Sequence, residues 1–495
     1  MKKIKKLFSN RWFQRIALLI LFSFTFILRA HNYDREPVIG QLEEHLYAWA
    51  GINLIYDKVP MSWSTLDYPE SAVVYKGEVN LDGNQPRPHV TLVRPWLDEP
   101  PIYSYISGGA AYLFGDVRWD VLPSSHIRMP QIFLSFFISI MVFLIARAVS
   151  GFWSGFIAVL IYGTSPLFVI SSRLAVPENL ITLIFLIIIY LILKERVRKS
   201  LSAIILIPIL IGIAGLSKPT GFFLAPLVVY ELFKLKRFKG IIYLVTVVGI
   251  SVGLLFLYGF YYSPEIFMRI LEIQSSRPVG FGGLGYMLST PAYDIFLLFD
   301  TMYIFCLLSL IYYVFSYKTD DERAGGRNFL VFCAIYWIIV VLISGGEYDL
   351  LPWYRFGFFP LLAIFGAWGL KEAVVNFSFV KSFLAITLFL GNRILLVNPF
   401  RPNIDPGLFR LIFSAIMAPA LAFEVFGKKY LKTAGQIVII AAFIVGVYWN
   451  VVYLYNVHEL KCESIECPIG PPTFLSTLHF PFLWRFFVLG EPAIR

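Results

Sequence analysis

Charge is what this sequence has least of. Only 15% of its 495 residues are Asp, Glu, Lys or Arg, against about 25% in ordinary soluble domains. So few polar side chains cannot cover the surface of a soluble enzyme of this length. A hydrophobic fraction of 58% also excludes a disordered chain. Cysteine is nearly missing: four residues are too few for a disulfide scaffold. Cys306 and Cys333 sit inside apolar runs and read as small buried hydrophobes. Cys462 and Cys467 flank a polar stretch, where a local disulfide is permitted if that stretch lies outside the cell. The basic start MKKIKKLFSNRWFQR and the apolar run Ile16–Leu28 lack a small-residue cleavage site, so an uncleaved first span is expected. No internal repeat is visible, which weighs against an inverted-repeat transporter.

What is present is a succession of long apolar runs. Stretches near 13–30, 130–149, 152–170, 180–193, 201–216, 220–233, 241–261, 296–317, 328–344, 356–370, 382–398, 408–426 and 434–455 meet or approach the roughly 20 residues that a bilayer requires. The expected fold is therefore an all-α polytopic membrane protein with about thirteen transmembrane helices. The net charge of +10 does not point to nucleic acid, because the basic residues fall in short clusters between spans. With the N-terminus inside, the clusters around Lys194–Lys199, Lys234–Lys239, Lys318–Arg327 and Lys428–Lys432 all fall on the cytoplasmic side, as the positive-inside rule asks. The chain divides into a basic N-terminus and first span (1–30), a long external loop with juxtamembrane helices and acidic motifs (31–129), spans two to seven (130–261), an external Gly-rich loop (262–295), spans eight to thirteen (296–455) and an external tail (456–495). Two amphipathic stretches in the long loop, Leu42–Ile55 and Pro101–Phe114, read as surface-lying helices. Gly280, Gly282, Gly283 and Gly285 suit a segment that bends over a cleft, or a plain connector.

The charges that the positive-inside rule leaves unexplained gather on the external side. They are Glu43 and Glu44 in GQLEEHLYAWAG, Asp98 and Glu99 in RPWLDEPPIYSY, Arg173, Glu178 and Asn179 in SSRLAVPEN, Lys218 in GLSKPTG, and Glu347, Asp349, Tyr354 and Arg355 in GEYDLLPWYRFG. Carboxylates beside a lysine and an arginine suit a reaction that deprotonates a nucleophile and stabilises a departing phosphate. His31, His45, His89 and His126 follow no zinc spacing. Clustered carboxylates such as Glu43 and Glu178 suit Mg²⁺ or Mn²⁺, so a divalent cation stays open.

These segments resemble the motifs of the lipid-phosphate-dependent glycosyltransferases of the C-type superfamily, which includes protein O-mannosyltransferases and the lipid A aminoarabinose transferase. GQLEEHLYAWAG is similar to the Asp-Glu motif of their first external loop, and WLDEPPIYSYISGGAAYLFG to their Pro-Pro motif. The stretch from Arg128 to Glu178 resembles the region of the second acidic residue, GLSKPTG a lysine-bearing motif, and Pro352–Phe365 a late Tyr- and Pro-rich helix. The resemblance implies catalytic roles for Glu43, Glu44 and Glu178. It implies binding of the donor phosphate or substrate by Lys218 and Arg173, with Arg355, Tyr354, Asp98, Glu99 and Arg94 as further candidates. Glu43 stands where the motif has Asp, and Glu99 where relatives often carry Lys or His. The implied activity is inverting transfer of a sugar from a polyprenyl- or dolichyl-phosphate donor to an external protein, glycolipid or polysaccharide acceptor at the cell membrane. A transporter or flippase of lipid-linked sugars, and a noncatalytic subunit of an envelope polysaccharide complex, are the competing expectations.

Overall fold

The computed structural model describes residues 10–37, 42–79, 88–117, 119, 122–194, 201–281, 300–316, 324–344, 352–391, 406–462, 473–475 and 477–478. A helix underlies every expected apolar stretch. The first, α1 (Arg11–Ala30), is capped by Asn10, whose side chain accepts from the Trp12 amide. Among the described residues five helices are long and apolar enough to cross a bilayer unaided: α1, α4 (Ser124–Ser150), α10 (Phe238–Tyr262), α13 (Ala324–Ser344) and α17 (Lys429–Cys462). Shorter helices fill the bundle: α5 (Phe152–Thr164), α6 (Pro166–Ser171), α7 (Pro177–Leu193), α8 (Leu201–Gly215), α9 (Leu224–Lys234), α12 (Thr301–Phe315), α14 (Phe359–Val375), α15 (Phe379–Gly391) and α16 (Pro406–Phe426). The run expected at 152–170 breaks in two at Pro166, since proline lacks the amide that a continuous helix needs there. One large apolar core joins these helices, with α14 buried along most of its length.

The long loop is better organised than its sequence suggests. Its first amphipathic stretch forms α2 (Leu42–Tyr56) and its second α3 (Pro101–Leu113). The expectation of a surface-lying helix fails for α2, whose residues Glu44–Leu54 are all buried. The reason is its company: Ser62 donates to the Leu46 carbonyl, Trp63 donates to that of Leu42, and α3 packs along the other side. A three-stranded antiparallel sheet, unforeseen in an all-α reading, supplies the outer cover. Its strands are β1 (Ser62–Trp63), β2 (Val73–Glu78) and β3 (His89–Val93), in the order β1-β3-β2. β3 carries the β-branched, alternating sequence HVTLV that suits a half-buried strand.

The segment after α10, expected as a Gly-rich loop, also begins with a helix. Residues 264–275 form α11 (Pro264–Ser275), capped by Ser263, which accepts from the Ile266 amide. Its buried Ile270 joins the core around α2, α3 and the sheet, and Arg269 pairs with Asp67. Of the loop glycines, Gly280 lies among the described residues, while Gly282, Gly283 and Gly285 lie outside them. Cys467, Glu347 and Asp349 lie outside them as well.

Candidate active site

The backbones that carry the polar motifs meet with almost no side chain between them. A Cβ on Gly51 would come within 1.9 Å of the Ser104 carbonyl oxygen, and one on Gly108 within 2.5 Å of the Gly51 backbone. Two glycines thus let α2 and α3 touch main chain to main chain. The start of α3 is tied in turn to the lysine loop, because the Ile102 amide donates to the Leu216 carbonyl. That loop folds back sharply at Gly221, where a Cβ would meet the Ala214 backbone at 2.3 Å.

At the junction Lys218 Nζ lies 2.6 Å from Glu178 Oε1 and 3.8 Å from Glu99 Oε1. It also sits 4.6 Å from the centre of the Tyr354 ring, a cation–π contact. Burial alone would lower the lysine's pKa. Glu178, Tyr354 and Glu99 outweigh it and raise the pKa above the ordinary value, so Lys218 stays charged. Glu178 sits in the first turn of α7, where the helix dipole favours a negative charge. One oxygen of each carboxylate, Glu178 Oε2 and Glu99 Oε2, is buried without a hydrogen-bond partner among the described residues. Such atoms accept hydroxyl donors readily.

Glu43 opens α2 beside this pair. Burial pushes its carboxyl up to about 7; Glu178 and Asp98 add to the shift, while Lys218 and Arg277 oppose it. Burial likewise pushes Glu99 up to about 8. Asp98 rises to about 6 by burial, against hydrogen bonds from Ser64 and Tyr68, both 2.6 Å long. With one oxygen accepting from Ser64 and the other from Tyr68, Asp98 ties the site to the segment that carries β1. Gln274 of α11 donates to the Asp98 carbonyl from above.

Not every sequence candidate joins this group. Glu44, expected to be catalytic, is fully engaged elsewhere. Its Oε1 accepts from Arg128 Nε and the Ala175 amide, both at 2.8 Å, and its Oε2 from Arg128 Nη2 at 2.5 Å. Both partners of that pair are buried, so Glu44 holds α2 in place. Arg173, expected to bind phosphate, spends its guanidinium on main chain. It donates to the carbonyls of Leu28 (2.7 Å), Arg29 (3.1 Å) and Glu36 (3.4 Å), satisfying the open C-terminal end of α1. Arg94 faces Asp57 at 3.7 Å in an outer cleft. Tyr354 reaches Lys218, whereas the next residue, Arg355, is fully buried within electrostatic range of Tyr303.

A further cation, which no local motif marks, joins the site. Arg277, just beyond α11, lies within electrostatic range of Glu43, Asp98, Glu99 and Tyr354. The capping Ser263 and the apolar spacing Ile266, Phe267, Ile270, Leu271 announce the helix that delivers it. The four histidines of residues 31–126 are scattered: His31 against Tyr455, His45 beside Trp49, His89 near Glu78 and His126 on Asp116. Among the described residues no three His, Cys, Asp or Glu side chains converge as a metal site. Of Glu43 and Glu178, the pair that suits a divalent cation, Glu178 holds the Lys218 ammonium at 2.6 Å.

This arrangement, a helical membrane bundle with an acidic helix start, a Pro-Pro helix and a lysine loop meeting at one end, defines a polytopic membrane protein that resembles the C-type, lipid-phosphate-sugar glycosyltransferases. Comparison with known proteins agrees. Residues 98–258, about a third of the chain, match the family described as dolichyl-phosphate-mannose-protein mannosyltransferase. No curated protein sequence matches. Among solved structures, ArnT from Cupriavidus metallidurans bound to undecaprenyl phosphate superposes with a TM-score of 0.54 at 13% identity, over 92% of this chain and 79% of that one. The arabinosyltransferase EmbB from Mycobacterium smegmatis gives 0.57 at 12% identity, over 92% of this chain and 41% of its own. The shared feature at these identities is the fold.

Proposed function

We propose that the protein is a membrane glycosyltransferase that moves one sugar, with inversion, from a polyprenyl-phosphate donor to a hydroxyl on the external face. The observation that carries this reading is the buried, charged Lys218 clamped by Glu178 beside Glu43, a carboxyl with a pKa of about 7. Undecaprenyl phosphate, the ligand of ArnT, is the type of lipid whose phosphate would reach this depth. The basic clusters of the alternate loops support an external site.

In the proposed step the acceptor oxygen attacks the anomeric carbon from the face opposite the phosphate. The bond from that carbon to the phosphate oxygen breaks, and polyprenyl phosphate leaves with the electron pair. Glu43 takes the acceptor's proton, for which a pKa near the working pH is well matched. Lys218, with Arg277, offsets the charge that builds on the phosphate, a preorganised interaction strengthened by burial. Glu178 and Glu99 hold the ammonium in position, and the scheme uses no divalent ion.

Transfer from a radiolabelled polyprenyl-phosphate sugar by detergent-solubilised protein is the test, because product formation there needs no separate compartments. Glu43→Gln is expected to lower kcat by roughly 10²–10⁴, and Lys218→Met by roughly 10²–10³, with both variants folded. Wild-type rates in either would remove that residue from the scheme.

A further inference from the structure

The far end of α2 borders a cleft distinct from the Lys218–Glu178 pair. Its volume is about 360 Å³, within the range of small-ligand sites. Asn53, Tyr56, Asp57, Arg94, Met61 and Trp119 line it.

The walls are held rather than loose. Trp119 stands edge-on to the buried Trp49, with ring centres 5.2 Å apart. Tyr56 packs on Tyr112 at 5.6 Å and donates to the Asp116 carbonyl at 3.3 Å. The polar groups keep spare capacity. Arg94 and Asp57 are 3.7 Å apart, too far for a closed hydrogen-bonded fork, so both heads can bind a third group. Asn53 commits its amide nitrogen to the carbonyls of Trp49 (2.7 Å) and Met61 (3.3 Å), which leaves its Oδ1 able to accept from a ligand. Two aromatic rings beside one cation, one carboxylate and an amide oxygen match a pyranose. Such a ring has an apolar C–H face for stacking and a rim of hydroxyls that both donate and accept. A phosphate would be repelled by Asp57, and a lipid tail would strand the polar heads.

We propose that this cleft is a saccharide-binding subsite that holds a sugar unit of the acceptor remote from the reacting hydroxyl. One rigid helix sets the separation: along α2 the rise from Glu43 to Asn53 is about 15 Å, and to Tyr56 about 20 Å. An acceptor that fills both places is an oligosaccharide or polysaccharide chain. Its role as an acceptor subsite rests on Glu43 being the acceptor's base; its binding of saccharide does not.

The experiment is saturation-transfer NMR on the detergent-solubilised full chain. The probes are α-mannotetraose, maltotetraose, laminaritetraose and tetragalacturonate. At least one is expected to bind, and its affinity to fall by roughly tenfold or more in Trp119→Ala and in Asp57→Asn. Asp57 is about half exposed at the rim, so its variant carries the test if loss of the Trp119–Trp49 contact prevents folding. Lys218→Met is expected to bind the same probe as the wild type does. Absence of binding by all four probes, or binding unchanged in the folded variants, would overturn the subsite. Wild-type transfer by Glu43→Gln and Lys218→Met, with saccharide binding still dependent on Asp57, would overturn only the reaction scheme and leave the subsite standing.

Discussion

Glu43 and Glu44 are neighbours in the chain, yet the helix turns about 100° between them and delivers them to different surroundings. Glu43 faces the field of Lys218, Glu178 and Asp98, while Glu44 grips Arg128 in a buried pair. Their variants should therefore fail in different ways. Glu44→Gln removes the carboxylate paired with the buried Arg128 and leaves it the longer-range charges of Glu36 and Asp34, a loss expected to cost up to about 3–5 kcal/mol; thermal unfolding in detergent checks this. Glu43→Gln is expected to unfold normally and to fail in transfer. The raised pKa of Glu43 also fixes the sign of a pH effect. A base must be ionised, so kcat/KM is expected to rise with pH through about 7, and steady-state rates from pH 5.5 to 8.5 check this. Sequence alone brought forward Glu43, Glu178 and Lys218 because each lies within a short local motif. It could not separate Glu44 and Arg173 from them, since what those two touch, Arg128 and the end of α1, is set by tertiary packing. Arg277 stayed hidden for the same reason: its neighbours Asp98 and Glu99 lie far away along the chain.

Among the elements, the contact between α2 and α3 bears most directly on the site. Gly51 and Gly108 have no space for a methyl group, and the obstructing atoms are backbone. Gly108→Ala is expected to cost about 1–3 kcal/mol and to lower transfer by moving Glu43 relative to the Lys218 loop. Gly109→Ala is the control, because a Cβ there meets nothing within 4 Å. Melting temperature and kcat of the two variants decide the matter. The extents of α2 and α3 were legible as apolar stretches bounded by polar and proline-bearing segments. The sheet was less so, because β1 is only two residues long and β2 is mostly exposed. The burial of α2 was not legible at all, for the elements that cover it come from elsewhere in the chain.

At the scale of the whole molecule, scarcity of charge and the lengths of the apolar runs were enough to place the chain in a membrane. They also outlined the helices that the structure shows. What they left out is how the bundle reaches the site, and the clasp of Arg173 on the carbonyls of Leu28 and Arg29 supplies one connection. The turn carrying Arg173 leads directly into Glu178, so the ion pair hangs from the end of a helix that is 20 residues long. A helix of that length spans about 30 Å and tilts when the surrounding hydrocarbon is thinner than itself. Reconstitution in nanodiscs of phosphatidylcholines with 14, 18 and 22 carbons per chain is expected to give different transfer rates, measured with saturating donor. Arg173→Met, if folded, is expected to flatten that dependence. On that expectation, bilayer thickness acts on the Lys218–Glu178 pair through the end of α1, with Arg173 as one of the links.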